Sequence, residues 1–427
     1  MKKHNLISDI IAGLAVSFAA MALGAAFGVM SGRGAFAGMI AAAIIPIFTG
    51  IFGGTKLSVS GPTAPMTAVS AVVVAFAYKN FSDNIIAEQF ITLVFIILGL
   101  LLLIAGFLKT GKFIKYIPKL IILGFMSGIA LLIWIDQINL LFFSKAENSL
   151  KGNIYLNVSL CLSTVVLIFI VPFLTKITIH PKVRKFIPFT FAAILIMTIF
   201  TQFLNINVDK IELSSNIISF KSFFQLLKSY LPGDEIFKLK YILKALPYSL
   251  QLLILCYLDS LLTALIIDKI TKTQSNYNRE LVGQGMANIA SAVLMGIPGA
   301  QATIRSVLLY KEGGKTRIAP IATGILAFLL LIVFKNYVSY ITKAVFIGVL
   351  LKVGWDVFEK EFLISYLKNK WYLKKERNLQ QLIILYTMLV TALIDLNFAV
   401  FSGTAIFFIA KKFLKLKDVE DDLADNI

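Results

Sequence analysis

The chain has 427 residues, of which 58% are hydrophobic and only 15% charged, and it carries a formal net charge of +18. A soluble chain of this length needs far more polar surface, so the composition excludes a water-wrapped globule and points to an all-α polytopic membrane protein. The positive charges fall in short clusters between apolar runs and form no single stripe, which excludes nucleic acid as a partner and makes the lipid bilayer the expected one.

In chain order, runs long enough to cross or enter a bilayer lie at 8–30, 35–51, 63–78, 88–108, 117–141, 155–175 and 186–203. A second set follows at 243–267, 281–296, 303–311, 318–334, 338–357, 380–395 and 398–413. The basic start MKKHNLISDI leads into an apolar run without a cleavage site, so the first run reads as a retained span. Lysines and arginines recur in alternate loops: Lys109, Lys112, Lys115 and Lys119, then Lys176, Lys182, Arg184 and Lys185, then Lys269, Lys272 and Arg279. Lys311, Lys315 and Arg317 and the stretch KNKWYLKKER complete the pattern. That asymmetry places both termini in the cytoplasm of a multi-pass protein, with a bacterial inner (plasma) membrane as the expected site. The resulting organisation is a seven-span repeat over 1–204, an outer connector over 205–242, a second seven-span repeat over 243–414 and an acidic cytoplasmic tail over 415–427. Seven spans per half, an odd number, make the halves inverted repeats, a common plan for alternating-access transporters.

Two spans begin unusually. The third opens SVSGPTAPMT and the third of the second half opens MGIPGAQATIRS. Gly61, Pro62 and Pro65 in one, and Pro298 and Gly299 in the other, predict extended chain leading into a helix that starts inside the membrane. Irregular backbone survives there only where protein buries it or a watery cavity meets it. Helix starts carry unpaired N–H groups and about half a positive charge, so two that face each other make an anion site. Ala64, Ala302 and Gly299 would allow close approach, and Thr63 and Thr303 add hydroxyls. A pair of proline-kinked helices with self-bonded hydroxyls is the plainer alternative.

YLDSLLTALIID sets Asp259 inside the eighth span with no basic neighbour in that stretch, and Thr263 four residues on shares its helix face. A carboxylate, a hydroxyl and free carbonyls suit sodium; the same carboxylate could instead carry a proton, or sit protonated between helices. Asp136, Asp268 and Asp395 lie near predicted span ends and are weaker candidates. Arg305, two residues after Thr303, either adds positive potential to the anion site or turns away to a carboxylate. The two histidines, His4 and His180, fall in or near loops, and no nucleophile–base pair or metal cluster appears, so an enzyme is not expected. Cys161 and Cys256 read as small buried hydrophobes.

DIIAGLAVSF, FGGTKLSVSGPTAPMT, YIPKLIILGFMSGIALLIW, LDSLLTALIID, NRELVGQGMANIASAVLMGIPGAQATIRS and EGGKTRIAP occur in order over nearly the whole chain. Together they resemble the sulfate permease (SulP) family of anion transporters, and GPTAPMT and LDSLLT look most like its sodium-dependent bicarbonate branch. The resemblance implies a core domain moving against a gate domain, with the anion between the third and tenth spans. It implies Thr63, Ala64, Ala302 and Thr303 at the anion, Asp259, Thr263 and the backbone around Gln301 at sodium, and Arg305 at the family's arginine position. Gln301 departs from that branch, which tends to have glycine there, and AVSFAAMALGAAFG lacks a proline many relatives carry. Family members usually append a soluble STAS domain, for which the closing stretch KFLKLKDVEDDLADNI is expected to leave no room. The expected function is sodium-coupled secondary transport of a small inorganic oxyanion, bicarbonate first and sulfate next. Proton-coupled uptake of sulfate or a dicarboxylate, and an anion channel, are the alternatives. No cofactor is expected beyond sodium as coupling ion, and homodimerisation is left open.

Overall fold

The computed structural model describes residues 3–116, 118–142, 153–178, 189–204, 206, 208–210, 220–334, 340–394, 396–414, 416 and 418. His180, Lys182, Arg184, Lys185, Asp395 and most of the acidic tail fall outside them. The described residues are almost all helical: α1 (Lys3–Met30), α2 (Ala35–Phe52), α3 (Ala64–Asn80), α4 (Asn84–Phe107), α5 (Lys119–Phe142), α6 (Ile154–Thr178) and α7 (Phe189–Phe203). There follow α8 (Phe220–Tyr230), α9 (Leu239–Thr271), α10 (Tyr277–Val293), α11 (Thr303–Lys311), α12 (Ile318–Phe334), α13 (Lys343–Val357), α14 (Lys360–Lys368), α15 (Lys375–Leu393) and α16 (Leu396–Leu414). Each predicted apolar run coincides with a helix. The runs did not announce α8 and α14, which are short and carry polar residues on one side.

By length and composition α1, α2, α4, α5, α6 and α9 can each cross a bilayer unaided. By contrast α11 has nine residues. At 1.5 Å per residue it rises only about 14 Å, half a hydrocarbon core at most.

The interruptions before α3 and α11 are extended strands that pair with each other. β1 (Ser60–Gly61) and β2 (Ala300–Gln301) run antiparallel, with Ser60 opposite Gln301 and Gly61 opposite Ala300. The ladder continues one step further where the amide of Ala302 donates to the carbonyl of Val59 at 3.0 Å. Chain this irregular must satisfy its own polar groups. The outer edge of β2 does so on α9, where the Gln301 amide donates to Ser260 Oγ at 3.2 Å and its carbonyl lies 3.5 Å from Thr263 Oγ1. Gly299 is needed because a Cβ there would lie 2.3 Å from the carbonyl carbon and oxygen of Gly61.

The chain divides into two compact units, neither of which is a sequence half. One comprises Met1–Lys112 and Lys151–Phe346, the other Phe113–Leu150 and Ile347–Ile427. The first contains the ladder and packs it over a small apolar core of Ala12, Val16, Leu57, Val59, Ile267, Leu309 and Ala319. In the second, α5 lies along α15 so closely that side chains on Gly124 and Gly128 would strike Thr387 and Thr391. There Trp134 Nε1 donates to the Leu351 carbonyl at 3.0 Å.

Gly299→Ala should therefore push β2 off β1 and cost about 1–3 kcal/mol, as overpacking does. A thermal melt of the purified protein should show a lower midpoint; an unchanged midpoint would contradict the close approach.

Candidate functional site

The helix starts that follow the strands are both left without side-chain caps. Thr63, the N-cap of α3, is extended (φ −125°, ψ 158°), yet its hydroxyl makes no cap bond. Ala302, the N-cap of α11, has no side-chain group to offer. First-turn N–H groups at both starts are therefore available to a ligand. The Thr63 hydroxyl is committed elsewhere, donating to Asp259 Oδ2 at 2.9 Å.

Asp259 and Thr263 sit one turn apart on α9 and each reaches a different interrupted segment. Asp259 takes the α3 side through Thr63, and Thr263 takes the α11 side through a 2.7 Å hydroxyl–hydroxyl bond to Thr303. One helix face thus ties both starts together. Of the residues singled out in the sequence, Thr63, Ala64, Gln301, Thr263 and Arg305 are buried, while Asp259, Ala302 and Thr303 are half-buried.

The alternatives left open for Arg305 resolve toward the ladder. Its Nη2 donates to the carbonyl of Pro62 at 2.8 Å, directly before the α3 N-cap. The residue is 2% exposed, and its Nη1 has no hydrogen-bond partner among the described residues. It pairs with no carboxylate there. A buried guanidinium without a counter-charge is costly, and an anion between the helix starts would offset that cost. Gln301 reaches α9 by its backbone alone, because a strand sends its side chain out of the ladder plane. The amide instead donates to Thr55 Oγ1 at 3.2 Å, and its buried Oε1 has no hydrogen-bond partner among the described residues.

Behind the ladder, α10 supplies a polar stripe that reading the sequence span by span passed over. Glu280, fully buried, accepts the amides of Gly54 and Thr55, both at 2.8 Å, and fixes the chain entering β1. Gln284 donates to Ser60 Oγ at 2.8 Å and to Glu280 Oε1 at 3.0 Å. Asn288 holds Gly299 at both ends, accepting its N–H at 2.8 Å and donating to its carbonyl at 3.0 Å. Ser291 donates to the Ile297 carbonyl at 2.8 Å. Spacings of four, four and three place all of them on one helix face, a signal visible in RELVGQGMANIAS.

Three further charged side chains, Arg33, Glu88 and Asp9, were also missed. Arg33 pairs with Glu88 at 2.9 Å and donates to Thr92 Oγ1 and the Gly296 carbonyl, bracing the turn that precedes β2. Asp9, buried in α1, accepts from the amides of Lys315 and Thr316 and from the Thr316 hydroxyl, holding the chain ahead of α12. Among the described residues no cluster of three His, Cys, Asp or Glu side chains could hold a metal ion. The cation candidate is an oxygen set of one carboxylate, hydroxyls and carbonyls.

The profile of the sulfate permease family matches residues 6–376. The chain belongs to the sulfate permease family. It is 31% identical to the bicarbonate transporter BicA of a Synechocystis strain, over 94% of this chain and 69% of that protein. It is 28% identical to the putative sulfate transporter YvdB of Bacillus subtilis, over 94% of this chain and 72% of that protein. Among solved structures, the transmembrane domain of a cyanobacterial BicA matches with a TM-score of 0.76 and 28% identity, covering 94% of this chain and 98% of that one. The family read from GPTAPMT, LDSLLT and their companions is the one to which the chain belongs, and these relatives are transporters rather than enzymes. The protein is accordingly integral to a membrane.

Removing Asn288 tests the scaffold apart from the ions. Asn288→Ala strips Gly299 of donor and acceptor together, and unpartnered buried groups cost about 1–3 kcal/mol each. A midpoint lowered in the absence of any anion is expected; an unchanged midpoint would show that the clamp holds nothing.

Proposed function

We propose that this member of the sulfate permease family is a secondary active transporter of a small inorganic oxyanion, bicarbonate first and sulfate next, driven by sodium. The observation that carries this reading is the shared bracket on α9. Asp259 and Thr263 connect two uncapped helix starts, so a cation beside the carboxylate and an anion between the starts would be immediate neighbours.

The roles follow from the chemistry of each group. Free N–H groups at the starts of α3 and α11, helped by the Arg305 guanidinium and the Thr303 hydroxyl, bind the anion. Ala64 and Ala302 keep side chains out of its way. Asp259, Thr263 and the carbonyl of Gln301 offer sodium hard oxygen ligands, and the ion neutralises Asp259 at the same time. Each ion lowers the electrostatic cost of the other, which is the basis of coupled transport. Alternating access, a plasma-membrane location and cytoplasmic termini belong to the same reading. The bicarbonate preference rests on the BicA relatives, and sulfate on the YvdB relative.

Proton coupling is the competing reading, because the Thr63 hydroxyl is the sole hydrogen-bond donor to Asp259 among the described residues. Uptake of labelled bicarbonate and sulfate into proteoliposomes, with sodium and pH gradients imposed separately, distinguishes the two. Sodium should accelerate uptake of at least one anion by roughly fivefold or more, the low end of ordinary coupling energies. Asp259→Ala should erase that acceleration while the protein remains folded. Uptake indifferent to sodium for every anion would refute sodium coupling, and conductance without gradient-driven accumulation would mark a channel.

Arg305→Gln keeps a donor and removes the charge. Anion-induced stabilisation in a thermal-shift titration should weaken by roughly tenfold or more in apparent affinity, since hydrogen bonds from charged groups contribute about 1.5–3 kcal/mol. Equal affinity in the variant would remove Arg305 from the anion site.

A further inference from the structure

The second compact unit carries a surface module that transport chemistry does not use. In α14 the side chains divide sharply. Phe362 is 2% exposed and meets the Trp371 ring at 5.8 Å, and Tyr366 donates to Asn378 Oδ1 at 2.6 Å. The opposite face presents Ile364 at 56% and Leu367 at 59% exposure, and the short 3₁₀ turn Trp371–Leu373 adds Leu373 at 74%. Apolar side chains this exposed, on a helix held by its other face, do not serve the unit's own core.

Basic groups rim this face. Lys368, Lys370, Lys374 and Lys375 fall within eight residues, and all are exposed. None of the four forms an ion pair among the described residues. Lys360 lies over the half-exposed Trp355 ring at 5.0 Å, and Arg377 covers Trp371 at 4.3 Å. Indole rings beside a bare lysine cluster and a strip of leucine and isoleucine match the layering of a membrane interface.

We infer that α14 and the turn after it form a binding site for anionic phospholipid headgroups. Ile364, Leu367 and Leu373 lie against the acyl boundary, and Lys368, Lys370, Lys374 and Lys375 gather phosphate charge. The lysine excess of this loop belongs on the cytoplasmic side, where anionic lipid provides a matching surface. Charge complementarity selects lipid over a second copy of the chain, whose equivalent face would bring the same lysines together.

The tryptophans supply a local probe, because the chain has three, Trp134, Trp355 and Trp371. Trp134→Phe therefore leaves fluorescence only from the two that flank α14. Proteoliposomes of this full-length variant, carrying brominated phosphatidylglycerol or brominated phosphatidylcholine at increasing fractions, report which lipid sits there. Phosphatidylglycerol should quench at a lower fraction, by about fivefold for each lysine that engages, and added salt should erase the difference. Changing the four lysines to glutamine should abolish the preference, and changing them to arginine should keep it. Equal quenching by both lipids would overturn the proposal. Absence of quenching by either would too, by showing that protein covers the face.

Discussion

A two-residue ladder holds the functional geometry together. Four residues, Ser60, Gly61, Ala300 and Gln301, pair across some 240 residues of chain and turn two interruptions into one structure. Neither interruption could persist alone in an apolar setting, because its amides and carbonyls would lack partners. Paired, they satisfy each other on the inner edge, and α9 satisfies the outer edge of β2 with the hydroxyls of Ser260 and Thr263. The second of those hydroxyls also belongs to the candidate cation site. The fold and the proposed cation site therefore draw on the same atoms.

Electrostatic logic follows from the ladder. Because the paired segments lead into the N-caps Thr63 and Ala302, two helices begin at fixed places without side-chain caps. The Thr63 hydroxyl could have capped α3, but it is spent on Asp259. That leaves positive dipole ends and the guanidinium of Arg305 on one side of the balance and Asp259 on the other. On the proposed reading, a small anion and a small cation would together offset this balance better than either would singly. The stripe of Glu280, Gln284, Asn288 and Ser291 on α10 keeps the arrangement in register through its hydrogen bonds to Gly54, Thr55, Ser60, Gly299 and Ile297.

Some of this was legible in the sequence for reasons specific to each residue. Pro62, Pro65, Pro298 and Gly299 cannot continue a helix, so the interruptions could be read directly, and Asp259 stood out as a charge in an apolar run. That the two interruptions pair could not be read, since strands of two residues carry no periodicity. The i, i+4 spacing of Asp259 and Thr263 gave their common face, but not that each would grip a different segment. Gln301 could be read as a departure from glycine, but its strand geometry, which sends the side-chain amide to Thr55, could not be read. The α10 stripe repeats at helical spacing and was open to view, yet its residues are uncharged apart from Glu280 and only contacts distant in sequence give them meaning. Arg33 and Glu88 sit 55 residues apart, and their pairing is a product of the fold alone.

The central claim is that anion and cation share one bracket on α9, and linkage tests it most directly. Bicarbonate affinity of the purified protein should be titrated calorimetrically at low and at saturating sodium, and sodium affinity at low and saturating bicarbonate. Each ion should tighten the other by the same factor, about fivefold or more, because coupling between sites is reciprocal. Bicarbonate that binds with one affinity whatever the sodium concentration would contradict the account.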